Sequence, residues 1–269
     1  LGALGVSDLG IVIAGAGGRM GRALISAILN TEGLALVGAL EHAGSSHLGV
    51  DAGLMCGAGA AGVKVASDEA PDLSGADVVI DFSTPGATVR LAERLAAMGG
   101  IAHVIGTTGF SNAENEALAA AAHKIAVVKS GNMSLGVNLL AALTRRVAAT
   151  LDESFDIEIV EMHHNKKVDA PSGTALLLGE AAAEGRGRHL DECSERGRDG
   201  LTGARKPGAI GFASLRGGSV VGEHVVIFAG PSGRIELAHK AEDRCIFARG
   251  ALAAARWVKG RPPGLYSMA

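Results

Sequence analysis

The sequence predicts an α/β protein: a Rossmann-like parallel sheet domain plus a second α+β domain with a mixed or antiparallel sheet. Three observations carry this. Strand-length apolar runs alternate with Ala/Leu-rich helical stretches through the first half, the pattern of a parallel sheet covered on both faces. A glycine-rich turn, GAGGRMG (15–21), joins the first strand to the first helix. In the second half strand-like runs follow one another, and GPSG (230–233) joins the last two as a hairpin signal.

The elements follow in order. LGIVIAG (9–15) is a continuous apolar run of strand length, and RMGRALISAILNT (19–31) has the spacing of a helix. LALVGAL (34–40) is a second strand, and a glycine-rich loop covers 43–62. ADVVIDF (76–82) and GATVRLAERLAAMG (86–99) form the next strand and helix. IAHVIGTTG (101–109) is a strand running into a turn. Ser111 opens the helix 111–124 with Glu114 three residues on, a capping box. IAVVKS (125–130) is a strand and LGVNLLAALTRRVAATL (135–151) a helix.

Beyond residue 135 the pattern shifts, which makes that point a candidate domain boundary. FDIEIVEMHH (155–164) alternates like a half-buried strand, and GTALLLGEAAAEG (173–185) is a helix. A charged loop covers 185–208. The strands 209–217, 222–230 and 233–241 and a final helix, 246–260, complete the chain. By itself the pattern allows that helix to return to either domain.

Composition narrows the function classes. The 269 residues suffice for a large core and two domains. Hydrophobic residues make up 48% but aromatics only 3%, so Ala and Gly must let helices pack closely on a sheet. A net charge of −3 and a pI near 6.3 give no electrostatic footprint for nucleic acid. Cys56, Cys193 and Cys245 are scattered without CxxC spacing and read as reduced thiols of a cytoplasmic protein. The N-terminal LGALGVSDLG has no basic region of the signal-peptide kind, and its lack of Met reads as a processed or trimmed end. No run of about 18 apolar residues predicts a membrane span.

The motifs fall at strand ends. Glycine in GAGGRMG allows a tight turn and lets a phosphate approach backbone N–H groups at a helix N-terminus. The spacing is Gly15, Gly18 and Gly21 with an extra Gly17; Met20 stands where G-x-G-x-x-G has its last glycine. Glu41 ends the second strand about 20 residues on, where dinucleotide sites place an acid for the ribose hydroxyls. A carboxylate repels a 2′-phosphate, which favours NADH; His42 beside it offers NADPH some charge. DFSTPG (81–86), GTTGF (106–110) and SGNMS (130–134) also follow strands, on the ligand edge of an open α/β sheet. Ordinary turn chemistry accounts for each alone.

EMHHNKKVDAPSGTA (161–175) places two imidazoles and two ammoniums in five residues. On a straight strand His163 shares a face with Phe155, Ile157 and Ile159, while His164 points away. Asp169 is the only obvious further metal ligand nearby. Ser172 reads as the cap of a helix whose first residues, Gly173 and Thr174, present N–H groups that attract anions. With Lys166 and Lys167 this suits a carboxylate-bearing substrate, with imidazole available for proton transfer. A basic surface loop before a capped helix is the plain alternative. Other reductases of carboxylate substrates, a dinucleotide-binding sensor and a methyltransferase share parts of the pattern.

Taken together, GAGGRMG, DFSTP, GTTGF, SGNMSLGVN, EMHHNKKVDAPSGTA, GAIGFASLRGGSVVGEH and the closing GLYSM resemble the 4-hydroxy-tetrahydrodipicolinate (dihydrodipicolinate) reductase family, in order along nearly the whole chain. The resemblance implies a dinucleotide-binding domain of residues 1–134 completed by 242–269, and a substrate and oligomerisation domain of 135–241. It implies reduction of a cyclic dicarboxylate by NADH or NADPH in lysine and diaminopimelate biosynthesis, in a cytoplasmic homotetramer. Cofactor contacts would be Gly15, Ala16, Gly17, Gly18, Arg19, Met20, Glu41, Gly106, Thr107, Thr108, Ser130, Gly131, Asn132 and Met133. His163 and Lys167 match the catalytic positions, and His164, Gly173 and Thr174 the substrate contacts. Some members carry Arg where this chain has His42. No metal, membrane or nucleic-acid partner is expected.

Overall fold

Residues 8–268 are described by the structure, a computed structural model; the first seven residues, with most of the stretch read for a signal peptide, lie outside. The chain begins β1 (Leu9–Ala14), α1 (Arg19–Leu29), β2 (Leu34–Glu41), α2 (Ala52–Met55), β3 (Val65–Ser67), β4 (Val78–Asp81) and α3 (Pro85–Met98). It continues β5 (Ala102–Ile105), α4 (Asn112–Ala122), β6 (Ala126–Lys129), α5 (Leu135–Thr150), β7 (Asp156–His163) and α6 (Gly173–Gly185). The rest is α7 (Leu190–Cys193), β8 (Ser194–Glu195), β9 (Ile210–Arg216), β10 (Gly222–Gly230), β11 (Gly233–Ala241), α8 (Cys245–Val258) and β12 (Gly264–Tyr266).

Two compact units divide the chain. One runs to Ser134 and takes back Phe247–Met268; the other is Leu135–Ile246. The return therefore falls inside α8, slightly later than residue 242.

The first unit holds a seven-stranded sheet in the order β12-β6-β5-β4-β1-β2-β3, with every pairing parallel. Parallel strands joined by helical crossovers are covered on both faces, which is why β1 is buried at every position. Ile11 and Ile13 pack on one side with Leu24, Ile25 and Ile28 of α1. Val12 and Ala14 pack on the other with Leu91 and Leu95 of α3 and Leu118 of α4. Each fully buried Leu or Ile contributes at most about 1.5–3 kcal/mol. α8 belongs to the first core, through Ala248, Ala251, Leu252, Ala255 and Val258 at helical spacing. That resolves which way the last helix turns.

The second unit holds a mixed five-stranded sheet, β11-β10-β7-β9-β8. β7 is central, antiparallel to β10 and parallel to β9. Its burial alternates strictly, with Ile157, Ile159, Glu161 and His163 inward. Ile157 and Ile159 meet Leu140 of α5 and Leu178 and Ala182 of α6, while Glu161 and His163 extend the same face past the apolar core. β10 and β11 form the hairpin signalled by GPSG, with Gly230 opposite Gly233.

Some short elements depart from the sequence reading. The glycine-rich loop contains α2, and β3 follows it. Asp51 organises this region, accepting from the N–H groups of Gly53, Leu54, Ala61 and Gly62 at 2.8–3.1 Å. The charged loop contains α7 and β8, and β12 adds an edge to the first sheet beside β6. Among the described residues no helix is long and apolar enough to cross a membrane.

Candidate active site

The glycine turn sits where β1 hands over to α1. Gly15 has φ 77°, a left-handed conformation that side chains disfavour. Gly15 and Ala16 donate to the Leu40 carbonyl, tying the turn to the end of β2. A Cβ on Gly21 would lie 2.2 Å from the Gly15 carbonyl oxygen, so Gly21 serves as the close-packing glycine that Met20 does not supply. Gly18 caps α1 without any side-chain hydrogen bond. Glu41 accepts the Gly17 N–H at 2.8 Å and the His42 N–H at 3.3 Å. Ala16 is buried, Met20 half-buried, and Gly18 and Arg19 exposed.

A cavity of about 540 Å³ opens at the C-terminal ends of β1, β2 and β4. Gly15, Gly18, Glu41, His42, Phe82 and Arg90 are among its walls, and Asp68 and Glu69 add two more carboxylates. Glycines without side chains, an acid at the end of β2 and an open cleft on the carboxyl edge fit a dinucleotide.

The turns after β5 and β6 are built on committed side chains. The Thr107 hydroxyl is buried, accepts from Thr88 at 3.1 Å and lies 3.4 Å from the Asp81 carboxylate. Met133 packs in the core beside β6. These two therefore offer a ligand backbone rather than side chains. Ser130 donates to the Asn132 carbonyl at 2.7 Å, shaping its own loop. Gly106 lies against the Phe82 ring, whereas Thr108 and Gly131 are exposed.

Asp81 was not singled out from the sequence, yet it organises this edge. It is fully buried and accepts from the Ser83 N–H at 2.8 Å and the Ser83 hydroxyl at 2.6 Å. His103, also fully buried, lies 3.3 Å from its other oxygen. Burial pushes the Asp81 carboxyl up, but hydrogen bonds from His103 and Ser83 outweigh it and hold it below the usual range.

In the second unit β7 delivers His163 and ends there. The chain then turns: Gly217 donates to the His163 carbonyl at 2.9 Å and Lys167 to the His164 carbonyl at 3.1 Å. His163 Nδ1 lies 2.5 Å from Glu161 Oε2. Arg216, at the end of β9, grips the same carboxylate with two bonds of 2.9 Å and donates to the Asp169 carbonyl at 2.7 Å. Ser172 donates its N–H to Glu161 at 3.3 Å and caps α6 by accepting from Ala175 at 3.1 Å. Its hydroxyl is 2.9 Å from His224 Nε2. Lys167 Nζ pairs with both oxygens of Asp169, at 2.6 and 2.8 Å.

The electrostatics follow. Burial pushes Glu161 up, but Arg216, Ser214 and His163 together hold it below the usual carboxylate range. Burial also pushes His163 down; Glu161 opposes this, and Lys167 and Arg216 reinforce it. His224 is driven down to about 4, first by burial and then by His163. Both imidazoles are therefore mainly neutral at pH 7. Lys167 holds a cation beside them, and Asp169 is kept ionised chiefly by its bond to Lys167.

The second unit thus brings His163 and Lys167 together beside the start of α6, where Gly173 and Thr174 lie, whereas His164 sits in the turn after β7 against the Lys166 N–H and Lys166 is exposed. Glu161, Arg216 and His224 join them, although the sequence reading gave none of the three a role. Glu161 was within reach of it, since strand alternation puts it on the face of His163. Among the described residues no cluster of three or more His, Cys, Asp or Glu side chains is placed to hold a metal ion.

A parallel sheet with a glycine turn at its first crossover, and an imidazole-ammonium cluster on a second sheet, define the class as a nicotinamide-dependent oxidoreductase. The sequence matches the descriptions "Dihydrodipicolinate reductase, N-terminus" over residues 9–133 and "Dihydrodipicolinate reductase, C-terminus" over residues 136–269. The chain belongs to the dihydrodipicolinate reductase family. It is 64% identical over 263 residues to the 4-hydroxy-tetrahydrodipicolinate reductase of Rhodopseudomonas palustris (strain BisB5), covering 98% of this chain and 97% of that one. A protein of the same name from Parvibaculum lavamentivorans is 61% identical over 264 residues, covering 98% and 97%. Among solved structures, dipicolinate-bound dihydrodipicolinate reductase from Paenisporosarcina sp. TG-14 superposes with TM-score 0.76 at 25% identity, covering 97% of each chain. Aspartate semialdehyde dehydrogenase II of Vibrio cholerae shares the fold alone, at TM-score 0.54 and 11% identity over 93% and 97%.

Proposed function

We propose that the chain catalyses the NAD(P)H-dependent reduction of 4-hydroxy-tetrahydrodipicolinate to tetrahydrodipicolinate, a step of lysine and diaminopimelate biosynthesis. The observation that carries this is the juxtaposition of Lys167, His163 and the capped start of α6. A cyclic dicarboxylate needs an anion site, and its reduction needs a proton donor. The dipicolinate bound to the related reductase from Paenisporosarcina is a ligand of that kind.

Bound reduced nicotinamide supplies a hydride. The turn Gly15–Gly18, whose own N–H groups are spent on Leu40, Glu41 and Gly15, would let the pyrophosphate reach the N–H groups of Arg19 and Met20 at the start of α1, and Glu41 would hold the adenosine ribose. The turns at Gly106–Thr108 and Ser130–Met133 would face the nicotinamide end. In the second unit His164, Gly173 and Thr174 hold a substrate carboxylate. Loss of the ring hydroxyl as water leaves a conjugated ring. Hydride arrives at the carbon para to the ring nitrogen, and negative charge moves toward that nitrogen. Lys167 Nζ then delivers the proton that completes the two-electron reduction. His163, neutral and held at Nδ1, accepts a hydrogen bond at Nε2.

NADH is the favoured cofactor. Glu41, Asp68 and Glu69 line the cleft where a 2′-phosphate would lie. The working assembly is a cytoplasmic homotetramer formed through the second unit.

The test follows NADH absorbance while a coupled aldolase supplies fresh substrate. Oxidation is expected, with Lys167→Ala lowering kcat by about 10²-fold or more while NADH binding holds. Absence of oxidation by the unmodified protein sinks the reductase reading. A near-normal kcat in Lys167→Ala removes that residue as the donor.

A further inference from the structure

His163 is constrained from two sides by residues that carry no assigned role. On its own strand, Glu161 lies two residues back, with its side chain 1% exposed and its Oε2 2.5 Å from His163 Nδ1. Arg216 holds both oxygens of that carboxylate, so Glu161 stays ionised and can only accept. The hydrogen of the neutral ring therefore lies on Nδ1, and Nε2 presents a lone pair.

On the neighbouring strand β10, Gly222 stands across from His163. A Cβ built at Gly222 would lie 3.0 Å from Nε2 and 3.4 Å from the adjacent ring carbon. Gly222 is buried, and its φ is not positive, so its backbone does not require glycine. The constraint there is space over the nitrogen. The other ionisable groups around the ring are Lys167 and Asp169 from the loop after β7, His224 from β10, and His239 behind it on β11. Among the described residues none of them hydrogen-bonds Nε2.

We propose that Glu161 and Gly222 are the positioning residues of His163, Glu161 holding the proton on Nδ1 and Gly222 keeping Nε2 open as an acceptor toward the substrate. This rests on the reductase reading, and it leaves Lys167 as the sole proton donor of the pair at neutral pH.

Glu161→Gln tests the first half by chemistry. With the glutamine carbonyl at the Oε1 position it keeps Arg216 Nη2 and the Ser172 N–H, and its NH2 opposes only Arg216 Nη1; the reverse orientation would set the NH2 against two donors, so the first is adopted. Its NH2 then faces His163 Nδ1 and moves the ring hydrogen to Nε2. Gly222→Ala tests the second half without changing charge. Tautomers are read by long-range 1H–15N NMR, NADH affinity by fluorescence and kcat by the aldolase-coupled assay.

Unmodified protein should show the Nδ1–H tautomer. Glu161→Gln should show Nε2–H, a His163 titration moved to lower pH and kcat down at least about ten-fold, since a wrong tautomer disables an imidazole whose geometry is intact. Gly222→Ala should keep Nδ1–H and lower kcat about as much. Both should bind NADH normally. An Nε2–H tautomer in the unmodified protein overturns the proposal, as does kcat within two-fold of normal in Gly222→Ala. Should Glu161→Gln fail to fold, the unmodified tautomer and Gly222→Ala still decide. Inactivity of the unmodified protein would instead indict the reductase reading, and the NMR arm stands apart from it.

Discussion

Arg216→Ala should remove the only guanidinium that pairs with Glu161 among the described residues. The arginine makes two bonds of 2.9 Å to a carboxylate whose side chain is 1% exposed, and a third to the Asp169 carbonyl. Taking one partner from a buried ion pair costs about 3–5 kcal/mol. Arg216 is itself 22% exposed, so water can enter where it leaves, and the lower end applies, about 3 kcal/mol. At roughly 2–4 °C per kcal/mol for a protein of this size, the protein should melt about 6–12 °C earlier. The pH dependence has a definite sign. Glu161 is depressed in the folded state, so its contribution is full above the unfolded value of about 4.3 and fades as pH falls through the folded one. The difference between the two proteins is therefore largest at neutral pH and narrows below about pH 4. His163 should titrate at higher pH in the variant, because a cation that lowers it is gone. Urea unfolding at fixed protein concentration, across pH 3.5–7 in about half-unit steps, measures the first effect and histidine NMR the second. A loss under about 1 kcal/mol that does not change with pH would refute the buried pair.

Gly21→Ala should lower stability by about 1–3 kcal/mol and weaken NADH binding together, because its Cβ meets backbone of Gly15 and Ala16 that cannot rotate away. Thermal unfolding and fluorescence titration check this, and normal NADH affinity would separate the glycine turn from the cofactor. Glu41→Ala should raise KM for NADH about ten-fold, the worth of a charge-assisted hydrogen bond, while harming NADPH less. Steady-state ratios for the two cofactors read it, and an unchanged ratio would remove Glu41 from the choice. Ser111→Ala breaks the capping box formed with Glu114 and should cost about 1 kcal/mol with no change in NADH affinity, seen as a small drop in Tm.

The alternation of apolar runs was enough to place β1, β4, β5 and β6 and the helices between them, since long periodic segments carry their own signal. β3, β8 and β12 have two or three residues each, too few for a period, and exist because a neighbouring strand offers an edge. α2 is four residues held by Asp51, whose acceptor role reaches eleven positions on and leaves no local trace. In the second unit, period two separated His163 from His164, and the same alternation passes through Glu161, which the sequence reading leaves without a role. Arg216 lies 55 positions from Glu161, and only the pairing of β7 with β9 brings them together. Asp81 looked like one residue of a turn motif; its burial with His103 depends on the parallel register of β4 and β5. Residues on one strand are legible in a sequence, whereas partners supplied by another strand are not.

The return of Phe247–Met268 to the first unit also sets an order of events during synthesis. β6 ends at Lys129, but its parallel neighbour β12 begins at Gly264, about 135 residues later. At roughly 5–20 residues per second a ribosome needs about 7–27 s to make that stretch. Throughout this interval the sheet has a bare edge at β6, and one of its faces lacks the apolar side of α8. The intervening unit has its own core and can complete itself first. The N-terminal half is thus begun first and finished last, and a nascent chain arrested before residue 247 should be the most aggregation-prone species this protein passes through.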